Sequence, residues 1–467
     1  YIHSLWTMIE NRRTTVNGRI IVGGKGRKHP KEADVFLHIA MKVAKNCRYV
    51  EPQFTLRFDK DTSEEIWDEA LDALDAGATY PTLYNDDVNV PAVMYGMRVD
   101  EKAAEQYVPF GCTEFVIQGQ STGTPNICIN LLKLLTIYMN DGIDPIDGKR
   151  KSGPVPLKKL EEYQTFEEFY DGYKALLDYY LDLSVKAQYH SYEVMNQHVS
   201  FLFTSLLTDD CIARGKALLD GGVRYLGGTN ETYGNINTSD SLWVIRDLVF
   251  NQKKYTLRQL NDAMLANFNG YEALRKDCLN CDKYGNDLET ADTMANDLYE
   301  FVAKGVRNRG IAIGMQYFLI VISNNQLNTE WGNRTAASPD GRLSCMYMNP
   351  ANNPQGGANK SGPTAMLNSL AKFDAKYHGG SVQNIKFSPS MFNENRAVIK
   401  SLFKTYFAKG GCHLMVTVVD KGVLEDAVEH PENYPDLIVR VSGFSAVFVD
   451  LSPNIQQELL SRVLYDE

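Results

Sequence analysis

Two short stretches of this 467-residue chain carry residue types suited to chemistry on a small molecule. The first is Val108-Pro-Phe-Gly-Cys-Thr-Glu-Phe115, which reads as a tight, buried loop with a thiol and a carboxylate two positions apart. In an extended loop Cys112 and Glu114 project to one side, because side chains alternate with a period of two. A thiol and a carboxyl group then address one small substrate. Taken alone, the pair is better explained as a small buried hydrophobe and a paired or solvated acid, since an isolated Cys-x-Glu has no metal or redox spacing. The second stretch is Ile438-Val-Arg-Val-Ser-Gly-Phe-Ser-Ala-Val-Phe-Val-Asp450, where Gly443 stands between strand-like runs and marks a turn or a close backbone approach.

Other reactive types are weaker signals. Cys278-Leu-Asn-Cys281 is a lone Cys-x-x-Cys with no second pair, so chance placement is favoured over a zinc or redox site. Gly23-Gly-Lys-Gly-Arg-Lys28 is glycine-rich and basic, but its Lys is not followed by Ser or Thr at the offset a phosphate loop needs. It reads as a solvated turn. His413 suits a hydrogen-bonded core histidine at least as well as a donor near a reaction site. Cys128 and Cys412 read as packing residues.

The elements that must position these groups follow from periodicity. Gly18-Arg-Ile-Ile-Val-Gly23, Phe54-Thr-Leu-Arg-Phe58, Leu414-Met-Val-Thr-Val-Val419 and Ala446-Val-Phe-Val449 read as strands. Glu32 to Lys45 carries Val35, Ile39 and Val43 in helical register. Thr62 and Glu65 form a capping box before the stripe Ile66, Trp67, Ala70, Leu71 and Leu74, and Gly77 stands at the C′ position. Thr165 and Glu168 open a long helix over 166–203, and 241–250, 255–275, 290–304 and 422–429 read as further helices. Alternating strands and helices define α/β architecture.

Composition sets the outer limits. Hydrophobic residues at 44% and charged residues at 23% are those of a globular chain, which excludes disorder and collagen-like structure. A net charge of -10 argues against nucleic acid or an anionic membrane as the main partner. The longest apolar stretch, Ile311 to Ile322, falls short of the roughly 20 residues a membrane helix needs, so no membrane span is expected. No secretory signal is read at the N-terminus. Eight cysteines without framework spacing suit free thiols in a reducing cytoplasm.

The string around Gly443 resembles the C-terminal motif of the glycyl radical enzymes, Arg-Val-x-Gly-Tyr-x-Ala, and Phe110-Gly-Cys-Thr-Glu114 resembles their cysteine loop. Gly443 lies 331 positions after Cys112, a separation like that of the dehydratase branch, and 24 residues follow it, like the family's short terminal helix. Pro81-Thr-Leu-Tyr-Asn-Asp86, Thr238-Ser-Asp-Ser-Leu242, Pro339-Asp-Gly-Arg342, Ser361-Gly-Pro-Thr-Ala365 and Gly410-Gly-Cys-His413 are further family-like stretches in the same order. Phe444 stands where the family usually has Tyr. Only 111 residues precede Cys112, so the resemblance is to the back half of such an enzyme.

The resemblance implies a ten-stranded α/β barrel of two half-barrels, here the second half and part of the first over 1–378, followed by a glycine radical domain over 379–467. It implies Gly443, Cys112 and Glu114 as catalytic residues and a glycyl radical on Gly443, with no bound metal or organic cofactor. A separate radical S-adenosylmethionine activating enzyme would install the radical, a small hydroxylated molecule would be the substrate, and a homodimer is usual. The chemistry suits the residue types. With no Cβ, a glycine α-carbon flattens freely, and its flanking amides delocalise the unpaired electron. An S–H bond is close in strength to that Cα–H bond, so Cys112 relays hydrogen almost reversibly. Val441, Phe444, Val447 and Phe448 are expected to keep the radical dry. A non-catalytic spare part would lack Cys112 and Glu114. An acyltransferase of the pyruvate formate-lyase type would carry two adjacent cysteines, whereas Gly111 and Thr113 flank Cys112.

Overall fold

The structure is a computed structural model that describes residues 1–12, 19–123, 127–323 and 326–466. Among them run thirteen strands: β1 (Arg19–Gly23), β2 (Gln53–Phe58), β3 (Thr82–Asn85), β4 (Tyr107–Phe110), β5 (Glu114–Ile117), β6 (Ile127–Asn130), β7 (Gly227–Tyr233), β8 (Tyr317–Ile322), β9 (His378–Ser381), β10 (Asn384–Phe387), β11 (His413–Val418), β12 (Ile438–Arg440) and β13 (Ser445–Val447). The expected strand at 18–23 is β1, with Gly18 outside the described residues.

Two sheets form facing half-barrels. One has the order β1-β2-β3-β11-β10, the other is the parallel set β6-β7-β8-β9. Residues 382 and 383 join them: the Val382 N–H donates to Ile322 O across 2.9 Å, and Gln383 O accepts from the Met415 N–H at 2.8 Å. The antiparallel hairpin β4–β5 stands between the sheets, and β12–β13 forms a second hairpin.

Strand alternation separates scaffold from lumen. Phe54, Leu56, Phe58, Leu83, Leu414, Val416, Phe318, Ile320 and Ile322 belong to the main apolar core shared with the surrounding helices. The intervening Gln53, Thr55, Arg57, Thr82, Tyr84, His413, Thr229, Glu231 and Tyr233 are equally buried but point the other way, into the barrel. Asn230 and Gly228 fix the direction in β7: Asn230 Nδ2 donates to Ser184 Oγ on the outer helix Phe166–His198, and a Cβ on Gly228 would meet Phe318 and Tyr192.

Helix readings hold with local corrections. Thr165 caps Phe166–His198, which ends five residues before the expected 203. The segment at 255–275 is broken into Leu257–Leu265 and Glu272–Asn280. The stripe of Glu64–Asp75 is buried as expected, but its cap is Ser63, whose hydroxyl accepts from the Ile66 N–H; Thr62 instead bonds to Asp59. Pro30–Cys47 buries Leu37, Ala40, Met41 and Ala44, leaving Val35 60% and Ile39 45% exposed, so the expected face is turned by about one step. Of residues 379–467, the strands up to β11 enter the two sheets, and only the part from Val419 onward builds a separate small core with Leu424, Val439, Val441, Phe448 and Leu459. No described helix is long and apolar enough to cross a membrane.

Candidate active site

The cysteine loop is a tight turn. Phe110 pairs with Glu114, the Thr113 N–H donates to Phe110 O at 3.0 Å, and Gly111 and Thr113 adopt φ of +53° and +99°. The extended loop that would align Cys112 with Glu114 is therefore replaced by a reversal, because the antiparallel pairing of β4 and β5 leaves only three residues to turn the chain. Cys112 lies in the turn and Glu114 opens β5. Both are deeply buried, at 2% and 4% exposure.

Several strands hold this turn rigidly. The Arg19 guanidinium donates to Gly111 O at 2.7 Å and to Gln53 Oε1 and Thr55 Oγ1. Arg57 donates to Tyr107 O at 2.9 Å and grips Asp86 with two further bonds, and the Tyr107 hydroxyl donates to the same carboxylate. This bidentate, charge-assisted geometry is the strong kind. Gly380 presses on Thr113 from β9: a Cβ there would stand 2.6 Å from the Thr113 carbonyl carbon, and its φ is +144°.

Gly443 lies in the other hairpin loop, where the Val441 and Ser442 N–H groups both donate to Phe444 O. It is buried and lies directly on the cysteine. A Cβ built on Gly443 would stand 2.5 Å from both Cα and Cβ of Cys112 and would overlap Sγ. No residue other than glycine fits there, and the two α-carbons are in effect back to back. Of the four residues expected to shield Gly443, Val441 and Phe448 are buried while Phe444 and Val447 are half-buried. Cys112 itself packs with Ala351, Val382 and Met415.

The glycine hairpin is tied down mostly by side chains. Arg462 donates to Val441 O at 2.6 Å and pairs with Glu458. Arg440 lies 5.0 Å over the Tyr80 ring, and its Nη1 reaches Ser445, which bonds Thr79.

Electrostatics keep the thiol and carboxyl protonated. Burial, reinforced by Glu114 and Glu231, pushes the Cys112 thiol well above its ordinary value, so it is present as S–H. Burial and then the Glu231 carboxylate raise Glu114 to about 8. Its Oε2 has no hydrogen-bond partner among the described residues; nor do Tyr84 Oη, Ser381 Oγ, His413 Nε2 and Arg440 Nη2. Burial holds His413 neutral, with Nδ1 accepting from the Gln383 N–H and the ring 4.5 Å from Tyr84. Orphaned buried donors and acceptors of this kind mark a place for a polar ligand.

Sequence reasoning brings Cys112, Glu114 and Gly443 to one point but misses Arg19, Tyr84, Glu231, Met415 and Arg440. The missed signal is the polar half of each strand's alternation. Cys128, expected to pack, does so against Leu132, Tyr233 and Met348, and its Sγ also lies 3.6 Å from Glu231 Oε2. Cys412 packs in an apolar cluster, Cys278 is buried, and Cys281 bonds Asp277 O.

Two half-barrels flanking a thiol-bearing hairpin, with a glycine hairpin seated on that thiol, define the glycyl radical type of α/β barrel. The chain belongs to the pyruvate formate lyase-like family, whose model matches residues 5–327, and a glycine radical domain matches residues 348–449. Trans-4-hydroxy-L-proline dehydratase of Clostridioides difficile is 29% identical over 98% of this chain and 58% of its own length. Its solved structure, the hydroxyproline dehydratase with trans-4-hydroxy-L-proline bound, superposes with a TM-score of 0.89 at 28% identity, covering 99% of this chain and 58% of that one. The glycerol-bound B12-independent glycerol dehydratase of Clostridium butyricum gives 0.88 at 29% identity, covering 96% and 57%. The chain thus spans a little over half the length of the relatives it matches.

Proposed function

We propose that this chain carries the radical-transfer centre of a glycyl radical lyase that performs dehydratase-type elimination on a small hydroxylated substrate. Gly443 stores the radical, Cys112 relays it and Glu114 moves the proton. The observation that carries this reading is the seating of Gly443 directly on the buried Cys112.

The Gly443 Cα radical takes the hydrogen atom of the Cys112 thiol, leaving a thiyl. The thiyl abstracts hydrogen from the substrate carbon that bears a hydroxyl group. Ionised Glu114 accepts the hydroxyl proton, giving a ketyl, which expels hydroxide from the neighbouring carbon, and Glu114 returns its proton to form water. The Cys112 S–H gives its hydrogen atom back to the product radical, and Gly443 restores the thiol. Burial fits each group for its part: the thiol must hold its hydrogen as S–H, and a carboxyl near 8 both accepts and donates near neutral pH.

The reading includes a radical S-adenosylmethionine activating enzyme as partner, a homodimer and a cytoplasmic setting. Anaerobic incubation of the protein with an activating enzyme and S-adenosylmethionine is expected to give a doublet electron spin resonance signal. Gly443→Ala is expected to abolish it; a retained doublet would overturn the assignment.

A further inference from the structure

We propose that a cavity of about 480 Å³, whose walls include no residue of the cysteine or glycine hairpin, binds a small zwitterion of the amino acid type, with its ammonium group on Asp240 and its carboxylate at Arg275 and Lys360. The proposal stands apart from the radical chemistry and does not need it.

Three stretches that the radical chemistry leaves unused meet at this cavity. Asp240 comes from Thr238-Ser-Asp-Ser-Leu242 in the helix Asn235–Val244, Gly341 from Pro339-Asp-Gly-Arg342, and Ser361 from Ser361-Gly-Pro-Thr-Ala365. Hydrogen bonds lock them together. The Asp340 N–H donates to Ser241 Oγ at 3.2 Å, and Arg275 Nε, on the helix Glu272–Asn280, donates to Gly341 O at 2.9 Å. The N–H groups of Lys360 and Ser361 both donate to Asn286 Oδ1. The walls are thus fixed by short contacts, and the volume is of the size that small-molecule sites have.

Most charged groups around the cavity are already spent. Asp340 accepts from Asn237 Nδ2 and Ser338 Oγ, and Asp282 accepts from Thr290 Oγ1. Arg342 gives its guanidinium bonds to main-chain carbonyls, among them Ala336 O and Gly332 O, and Lys283 Nζ donates to Cys278 O. Asp240 is different. It is 1% exposed, its Oδ1 accepts from the Tyr284 N–H at 2.9 Å, and its Oδ2 has no hydrogen-bond partner. Burial raises this carboxyl to about 7, with Asp340 and Asp292 adding to the rise and Lys283 opposing it. A buried carboxylate oxygen facing open space is costly until a donor reaches it.

The depth of each group sets the orientation of the ligand. Arg275 is half-buried and, among the described residues, bonds through Nε, which leaves its Nη groups for an anion; the Lys360 side chain is exposed. An ammonium group therefore enters first and meets the deep carboxylate, while a carboxylate stays at the cationic mouth, where a guanidinium binds it well. Leu279, Leu288 and Met346 supply apolar wall for the carbon chain between the two ends.

The test uses the purified protein without activation. Calorimetric titration is carried out with glycine, β-alanine, 4-aminobutanoate and 5-aminopentanoate, with butylamine and butanoate as single-ended controls. At least one of the four zwitterions is expected to bind about tenfold tighter than either control, and the best chain length measures the span of the site. Asp240→Asn keeps the acceptor for the Tyr284 N–H and removes the charge; it is expected to weaken that zwitterion about tenfold and to leave butanoate unchanged. Arg275→Gln, nearer the surface, is expected to weaken the zwitterion and butanoate alike by about fivefold, and it decides the matter if Asp240→Asn does not fold. Amide exchange in the complex is expected to slow at 279–286 and 355–361 and to stay unchanged at 110–114. Failure of all four zwitterions to bind overturns the proposal, as does an affinity unchanged in either variant or slowing confined to 110–114.

Discussion

The two hairpins that meet at the centre are built by opposite means. The cysteine turn is set by its own backbone, with left-handed conformations at Gly111 and Thr113 and Gly380 pressed against Thr113, and half-buried Arg19 and buried Arg57 bond carbonyls of the turn and of β4. The glycine loop belongs to a separate small core, and side chains, chiefly Arg462 and Arg440, dock it. Residues held in sparsely populated backbone regions persist only where the surroundings over-determine them. The sulfur is therefore the fixed point, and the Gly443 α-carbon is the part brought to it.

The sharpest break between the two is chemical. Cys112→Ser is expected to retain the electron spin resonance doublet and lose turnover by more than about a thousandfold, because the oxygen cannot relay the hydrogen atom. Normal turnover would remove the cysteine hairpin from the reaction. The docking of the glycine hairpin is tested by Arg462→Met, which leaves Glu458 buried without its partner. A loss of about 3 kcal/mol is expected, with faster amide exchange confined to 438–447 and the cysteine hairpin unaffected. Exchange that rises equally in both hairpins would erase the distinction. Gly380→Ala tests the clamp: overlap with Thr113 is expected to cost about 1–3 kcal/mol in denaturant unfolding.

The smallest effect is in pH. With Glu114 near 8, turnover limited by its basic form is expected to be about tenfold lower at pH 7 than at pH 9. Its folded value lies above its unfolded value of 4.5, so its contribution to stability is full below pH 4.5 and is lost as pH rises through about 8. Glu114→Gln is expected to raise Tm at pH 9 relative to wild type and to leave it unchanged at pH 4. Equal Tm values at pH 9 would contradict the raised value.

Legibility in the sequence follows the range of the interaction. The helix stripe Ile66 to Leu74 and the Thr165 cap are local and are readable directly. Ser63 and Thr62 compete for one cap, and only the turn at Asp59 decides between them. Val35 and Ile39 lie in helical register without saying which face meets the sheet. Cys112 and Gly443 come together through resemblance, since nothing local relates positions so far apart. The lumen residues were accessible in principle: Gln53-x-Thr55-x-Arg57 and Thr229-x-Glu231-x-Tyr233 interleave polar types in segments where a buried strand would be expected to be apolar. Which polar groups converge is set by two sheets folding toward each other, and that closure is not a local property.

The interleaving has an evolutionary consequence. Every second residue along a barrel strand cements the scaffold while its neighbours line the interior, so single codon changes at Thr229, Glu231, Tyr84 or His413 alter the lining with the structural residues of the strand left untouched. Such an architecture lets the interior of one inherited frame vary without the frame being rebuilt.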